Sequence, residues 1–232
     1  MMRSSRKPRP LDRDMQTFRD DRLYLVACDD TYAPDQYFKA YKKDFLGARL
    51  QVNVVPTEDG TSSAEHVLDR LLAFEIEEYD QRWLLLDTDH YIEGNHRNSF
   101  LKALSKARQE NVRVALSRPC FEFWLVLHHL EAVDSRLAAI TNAKSVEDLL
   151  RKTLGAYNKK KLNMEDFPVS SVPKAVAGAE VIDKEISGGD IPERATSRVY
   201  QLWQEIIMNA AQAQLPSELR DLKEQLSERR HR

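Results

Sequence analysis

Four short apolar runs punctuate the first half of the chain: Leu23-Tyr-Leu-Val-Ala-Cys28, Leu50-Gln-Val-Asn-Val-Val-Pro56, Arg82-Trp-Leu-Leu-Leu-Asp87 and Val112-Arg-Val-Ala-Leu-Ser117. Between them lie stretches with helical spacing. That alternation constrains the fold more than any other feature, because strands separated by helices of this length close as βαβ crossovers around a mostly parallel sheet. Residues 34–46 carry Tyr37, Phe38, Tyr41 and Phe45 at helical intervals, with Gly47 as a stop. The turn residues Glu58-Asp-Gly-Thr61 end the second run. Residues 62–79 place Val67, Leu68, Leu71, Leu72 and Ile76 on one face, with Ser63 as the cap. A third helix is expected over 95–110, and a fourth, opened by Pro119, contains Phe121 to Leu130. The expected fold class is α/β, a doubly wound, mostly parallel sheet with helices on both faces, over residues 20–131.

After residue 131 the strand pattern stops. Residues 145–156 and 172–186 read as helices, Gly188-Gly-Asp-Ile-Pro192 as a break, and 193–214 as a long helix carrying Val199, Leu202, Trp203, Ile206 and Ile207. Residues 132–214 are therefore expected to form a helical extension. The charged segment 215–232 reads as a solvated helix fraying into disorder, and residues 1–19 as a disordered basic tail.

Composition narrows the class. With 232 residues, 42% hydrophobic and 31% charged, the chain has enough apolar material for a sizeable core. No apolar run approaches the ~20 residues of a membrane helix, and the basic stretch Met1 to Pro10 is not followed by a signal-peptide core, so a cytoplasmic location is expected. Cys28 and Cys120 are the only cysteines and sit in apolar contexts, which points to reduced core thiols. A formal net charge of −2 gives no overall attraction to nucleic acid, so any such contact must be local.

The chemistry is written in the acids. Asp29 and Asp30 follow the first run, Asp87 and Asp89 close the third, and Glu122 falls in the first turn of the helix after the fourth. All three places lie at the carboxyl edge of the expected sheet, where α/β proteins bind ligands. Carboxylates crowded there repel unless a cation neutralises them. Hard oxygen donors without Cys or His spacing suit Mg²⁺ or Mn²⁺, and so phosphoryl transfer or hydrolysis. Structural roles compete for the same residues. An Asp after a strand forms turns, and an acid in a first helical turn complements the helix dipole. His128 and His129, in an apolar helix, read as packing residues, while His90 beside the acids is open to either role.

Cys28-Asp29-Asp30, then Asp35-Gln-Tyr37-Phe38, Leu86-Asp87-Thr-Asp89, and above all Ser117-Arg-Pro-Cys-Phe-Glu122-Phe-Trp-Leu125 with His128, resemble the RloB-like proteins. Tyr157 with Lys159 to Lys161, and Pro192-Glu-Arg-Ala-Thr196, resemble weaker carboxyl-terminal signatures of that family. The resemblance covers about residues 22–205. It implies a Toprim-like fold and a metal-dependent nuclease of antiviral defence, encoded near restriction and abortive-infection genes and often beside an AAA-type ATPase. It also implies Asp29 as acid/base, with Asp87, Asp89 and Glu122 as the metal-binding acids. The chain departs from the family at Asp29-Asp30, where Glu followed by Gly is usual. The shorter side chain reaches less far, so a metal site built for Glu would need a backbone shift, a bridging water or the neighbouring Asp30, which puts catalysis in question more than metal binding.

Local positive clusters offer phosphate contacts: Arg118 at the active edge, Lys159, Lys160 and Lys161, and the basic ends Arg3 to Arg9 and Arg229 to Arg232. The expected function is a Mg²⁺-dependent nuclease acting on DNA or RNA, with an ATPase partner and a homo-oligomer left open. Two other readings remain. One is an inactive Toprim-like module that binds a partner or nucleic acid. The other is a receiver-like phospho-acceptor domain built on Asp29-Asp30, Asp87 and Ser117, which would need a lysine after a fifth strand.

Overall fold

The structure, a computed structural model, describes residues 22–44, 50–55, 63–92, 96–185 and 190–230. The four apolar runs are strands: β1 (Arg22–Cys28), β2 (Leu50–Val55), β3 (Gln81–Asp87) and β4 (Arg113–Arg118). They pair in parallel in the order β2-β1-β3-β4. A fifth strand, β5 (Thr196–Ser197), adds antiparallel to β4, with Ser117 opposite Ser197 and Arg118 opposite Thr196. The chain is thus α/β with a mostly parallel sheet. The order steps outward in one direction from β1 to β2 and in the other from β3 onward, so the neighbouring ends of β1 and β3 flank the switch point.

Alternation along the strands divides the core in two. Leu23, Leu25 and Ala27 of β1, with Leu84 and Leu86 of β3, face one side. They pack there against α2 (Ala64–Leu72) and α4 (Arg97–Gln109). Tyr24, Val26, Cys28, Trp83 and Leu85 face the other. Against them lie α1 (Ala33–Asp44), α5 (Glu122–Leu127), α7 (Ala143–Leu154), α8 (Val172–Glu185), α9 (Val199–Asn209) and α10 (Ser217–Arg230). Two single turns complete the set, α3 (Asp89–Ile92) and α6 (Ser135–Ala138). Among the described residues no helix is long and apolar enough to cross a membrane.

Tertiary ties moved several boundaries away from local pattern. The helix expected over 62–79 is capped by Ser63, whose side chain accepts from His66 N–H, but ends at Leu72. Beyond it Asp80 takes the N–H groups of Glu77 (3.1 Å) and Leu23 (2.8 Å), and Arg82 donates to the Phe74 carbonyl. Those bonds return the chain to the start of the sheet, so Ile76 packs outside a helix. Pro119 does not open the next helix. The Arg118–Pro119 peptide is cis, the Pro119 carbonyl is taken up by Thr88 and Asp89 N–H, and α5 starts at Glu122. The long helix expected over 193–214 is broken, because Thr196 and Ser197 pair with β4 before α9 begins. In the segment expected as a solvated, fraying helix, α10 (Ser217–Arg230) buries Leu219, Leu222 and Leu226. Phe45, Gly47, the Glu58–Thr61 turn, the Gly188-Gly189 break and the tail 1–19 lie outside the described residues.

His128 behaves as the packing residue expected. Its Nε2 meets the Tyr37 hydroxyl at 3.0 Å and its Nδ1 the Ser171 hydroxyl at 2.6 Å, joining α1, α5 and the turn before α8. Tyr37 is in turn ringed edge-on by Tyr41, Phe121, Trp124 and Trp203. Burial, aided by His129, pushes His128 down to about 3. Unfolded histidine takes its proton near 6.5, so between those values the unfolded state binds more protons and stability falls as pH falls. The expected loss is at most about 1.4 kcal/mol per pH unit below 6.5. In denaturant titrations from pH 7 to pH 5 the stability advantage of the wild type over His128→Gln should therefore shrink. Parallel curves would show that His128 is not held neutral.

Candidate metal centre

The parallel sheet delivers its acids to one edge. Asp29 and Asp30 leave β1, Asp87 is the last residue of β3, and Glu122 is the first of α5. What brings Glu122 in is the corner between β3 and β4. Thr88 N–H donates to Ser117 O (2.9 Å) and Pro119 O (3.0 Å), and Asp89 N–H to Pro119 O (3.2 Å). These bonds lash the end of β3 to the segment leading into α5.

Asp30, Asp87 and Glu122 converge, each offering a carboxylate oxygen, and these oxygens all lie within 4.8 Å of one another. The residues are 8%, 7% and 1% exposed. Asp30 Oδ1 accepts the N–H groups of Tyr32 (2.8 Å) and Ala33 (3.3 Å), capping the start of α1, while Oδ2 lies 2.9 Å from Lys159 Nζ. Glu122 Oε1 accepts from the Tyr157 hydroxyl at 3.1 Å and lies 3.3 Å from the same ammonium. Glu122 Oε2 is buried and has no hydrogen-bond partner among the described residues. Burial works against the Lys159 charge, but Glu122 and Asp30 outweigh it and hold the ammonium above its ordinary range.

Asp29 stands behind this cluster. Its two oxygens accept the Asp87 N–H at 3.2 and 3.1 Å, and Oδ1 also takes the Asp30 N–H at 3.0 Å. The Tyr91 hydroxyl is a further partner. Burial pushes Asp29 up to about 7, opposed chiefly by the Asp87 N–H. Asp87 is also driven upward, by burial first and then by Asp29, Glu122, Asp30 and Asp89. Burial raises the Tyr157 and Tyr91 hydroxyls too, helped by Glu122 and Asp29 respectively, so both stay as donors.

The remaining candidates scatter. Asp89 opens α3, accepts His90 N–H at 2.9 Å, and lies outside the three-acid cluster with 23% of its side chain exposed. Arg118 Nη1 donates to the Pro192 carbonyl at 2.7 Å on the wall of a separate cavity with Arg194 and Asp134. Lys160 stands over the Tyr32 ring and Lys161 is exposed. Ser117, the residue a receiver would use, is buried against Ser197 (2.9 Å), and β5 is followed by Arg198 rather than lysine. The sequence points to Asp87, Asp89 and Glu122 for the metal and to Asp30 only as a stand-in for the short Asp29. In the structure it is Asp30 that joins Asp87 and Glu122, and Lys159 and Tyr157 reach them, which the sequence did not show. The Tyr157-x-Lys159 spacing was visible, but nothing local tied it to Glu122, 35 residues away.

The donor set fits a hard divalent cation. Among the described residues three buried carboxylates converge with one ammonium, which pairs with two of them, all the donors are oxygens, and Glu122 Oε2 is an acceptor that a cation would satisfy. A family model described as RloB-like protein matches residues 24–206, well over half of the chain. No curated protein and no solved structure matches it.

Two substitutions test the charge balance. Asp87→Asn removes one buried like charge at nearly constant shape. It should raise the melting temperature in chelator by roughly 3 °C, corresponding to on the order of 1 kcal/mol, and abolish the gain on adding Mn²⁺. For the wild type a cation at a hundredfold its Kd should add about 2.7 kcal/mol. Lys159→Met should do the reverse, lowering stability in chelator and enlarging the gain. Equal Mn²⁺ gains in all three proteins, read by differential scanning fluorimetry, would contradict a cation site here.

Proposed function

Because the chain belongs to the RloB-like protein family, we propose that it is a Mg²⁺- or Mn²⁺-dependent nuclease of the Toprim-like type that hydrolyses phosphodiester bonds in antiviral defence. The observation that carries this is Glu122 Oε2, buried and without a hydrogen-bond partner among the described residues, beside Asp30 and Asp87 at the carboxyl edge of the sheet. Asp30, Asp87 and Glu122 would hold the cation, and Asp89, on the same corner and partly exposed, is a further candidate ligand. A bound cation supplies charge neutralisation at a phosphate and a more acidic water.

The chain's own groups divide the remaining work. Lys159 Nζ, on a flexible and partly exposed stem, holds Asp30 and Glu122 together and is placed to turn toward an entering phosphate oxygen. Lys160, Lys161 and Arg118 are the further phosphate-binding candidates. Asp29 titrates near neutrality, which suits a group that takes and gives a proton at that pH. Yet both of its oxygens hold backbone N–H groups. That favours a second reading, in which Asp29 only fixes the strand ends and the protein is a weak or inactive module. In either case nucleic acid and an AAA-type ATPase are the proposed partners, and two buried cysteines that form no disulfide accord with a reducing, cytoplasmic setting.

Cleavage of single- and double-stranded DNA and RNA, with Mg²⁺ or Mn²⁺ and with the proposed ATPase partner present, decides between them. The wild type should cut, Asp87→Ala and Asp89→Ala should lose at least about a hundredfold, and Asp29→Asn should flatten the pH profile near 7. Equal cleavage by the Asp87 variant, or none by the wild type, would refute the nuclease reading. An Asp29→Asn protein of full activity and unchanged pH profile would confine Asp29 to its structural role.

A further inference from the structure

Beside the acid cluster lies a feature that hydrolysis leaves unused. Tyr32 is 42% exposed in the turn between β1 and α1, two residues after Asp30. Its N–H donates to Asp30 Oδ1, so the turn that carries the ring is tied to a cluster carboxylate. Lys160 Nζ stands 5.5 Å from the ring centroid, and Lys161 beside it is exposed. The preceding residue, Lys159, reaches Asp30 and Glu122.

A single exposed aromatic is ordinary on a protein surface. This one is set apart by how firmly it is fixed to the lysine loop. Gln36, in the first turns of α1, donates Nε2 to the carbonyls of Tyr32 and Lys159, both at 3.0 Å. Its Oε1 accepts the Leu162 N–H, also at 3.0 Å. One amide therefore clamps the Tyr32 turn and both ends of the lysine segment into a single unit. The Tyr32 ring and the Lys160 ammonium are thereby held close to carboxylates that are almost fully buried.

We propose that Tyr32, Lys160 and Lys161 form a platform for single-stranded nucleic acid, with one base stacked on Tyr32 and the flanking phosphates on the lysines. The proposal rests on the nuclease reading for its view of what enters the site, and narrows that substrate to unpaired strands. Two arguments favour a strand over a duplex. Aromatic stacking combined with a cationic track is how proteins hold single strands without reading sequence, whereas bases within a duplex have their faces covered by neighbours. The scissile phosphate must also descend to carboxylates at most 8% exposed, which a flexible strand can do and a stiff duplex resists. Lys160 covers one face of the ring, and the exposure that remains leaves room for a base.

Binding measured in chelator separates this from catalysis. Labelled DNA and RNA of about 16 nucleotides, the upper end of single-strand site sizes, are titrated with the full chain as single strands and as duplexes of the same sequence. Fluorescence anisotropy should show single strands bound at least about tenfold more tightly, with Tyr32→Ala losing about tenfold and Tyr32→Phe keeping the affinity. Lys160→Ala and Lys161→Ala should each flatten the salt dependence by about 0.7 in log–log slope. The DNA and RNA arms say which strand is preferred, and either preference is consistent with the platform. Equal affinity for duplex, or Tyr32→Ala binding like the wild type with an unchanged melting temperature, overturns the platform. It does so even if cleavage is observed. Tyr32-dependent binding of single strands without cleavage upholds the platform and removes the nuclease reading instead.

Discussion

Four carboxylates, Asp29, Asp30, Asp87 and Glu122, are at most 9% exposed and share one edge of the sheet, and the architecture around them is arranged to tolerate that repulsion. Like charges removed from water push one another toward the protonated form, as the upward shifts at Asp29 and Asp87 show. The protein offsets this in three ways. Backbone N–H groups point at Asp29 and Asp30, tyrosine hydroxyls donate to Asp29 and Glu122, and a single ammonium, Lys159, bridges Asp30 and Glu122. The compensation is incomplete. Among the described residues one ammonium faces several acids, and Glu122 Oε2 has no hydrogen-bond partner.

The components of this edge come from distant parts of the chain, and each is held by a bond made for another purpose. Asp29 anchors the β3 terminus through the Asp87 N–H, Asp30 caps α1, and Pro119 presents its carbonyl to Thr88 and Asp89. Gln36 then ties the lysine loop to α1. Because these bonds mostly involve backbone groups within or beside the sheet, the acids are tied to the sheet itself. A site positioned this way needs little rearrangement to receive a cation, and preorganisation of that kind is what electrostatic catalysis depends on.

Much of this was legible in the sequence. The continuous apolar runs of β1 and β3 are buried on both faces, so their pattern survived translation into structure directly, and the sheet edge that gathers Asp87 and Glu122 followed from βα alternation alone. The failures share a cause: bonds between residues far apart in sequence. Asp80 truncated α2, β4 recruited Thr196 and Ser197 out of an expected helix, and three leucines gave the charged segment 217–230 a buried side. The choice between Asp29 and Asp30 was beyond sequence reading, since both follow the same strand and only the direction of each side chain assigns one to backbone N–H groups and the other to the cluster. Lys159 was visible as a basic residue, but its role as counter-charge depends on a loop folding back onto α1.

On this reading Asp30, Asp87 and Glu122 form a hard-cation site. Anomalous diffraction from crystals soaked in Mn²⁺ tests it most directly, because it locates the ion without relying on activity. One peak is expected within coordination distance of oxygens of all three residues, close to the about 2.0–2.1 Å of Mg²⁺, with Glu122 Oε2 among them and Lys159 Nζ displaced or turned aside. A peak held by Asp29 or by Asp89 without Asp30, or no peak at this edge with saturating Mn²⁺, would contradict it.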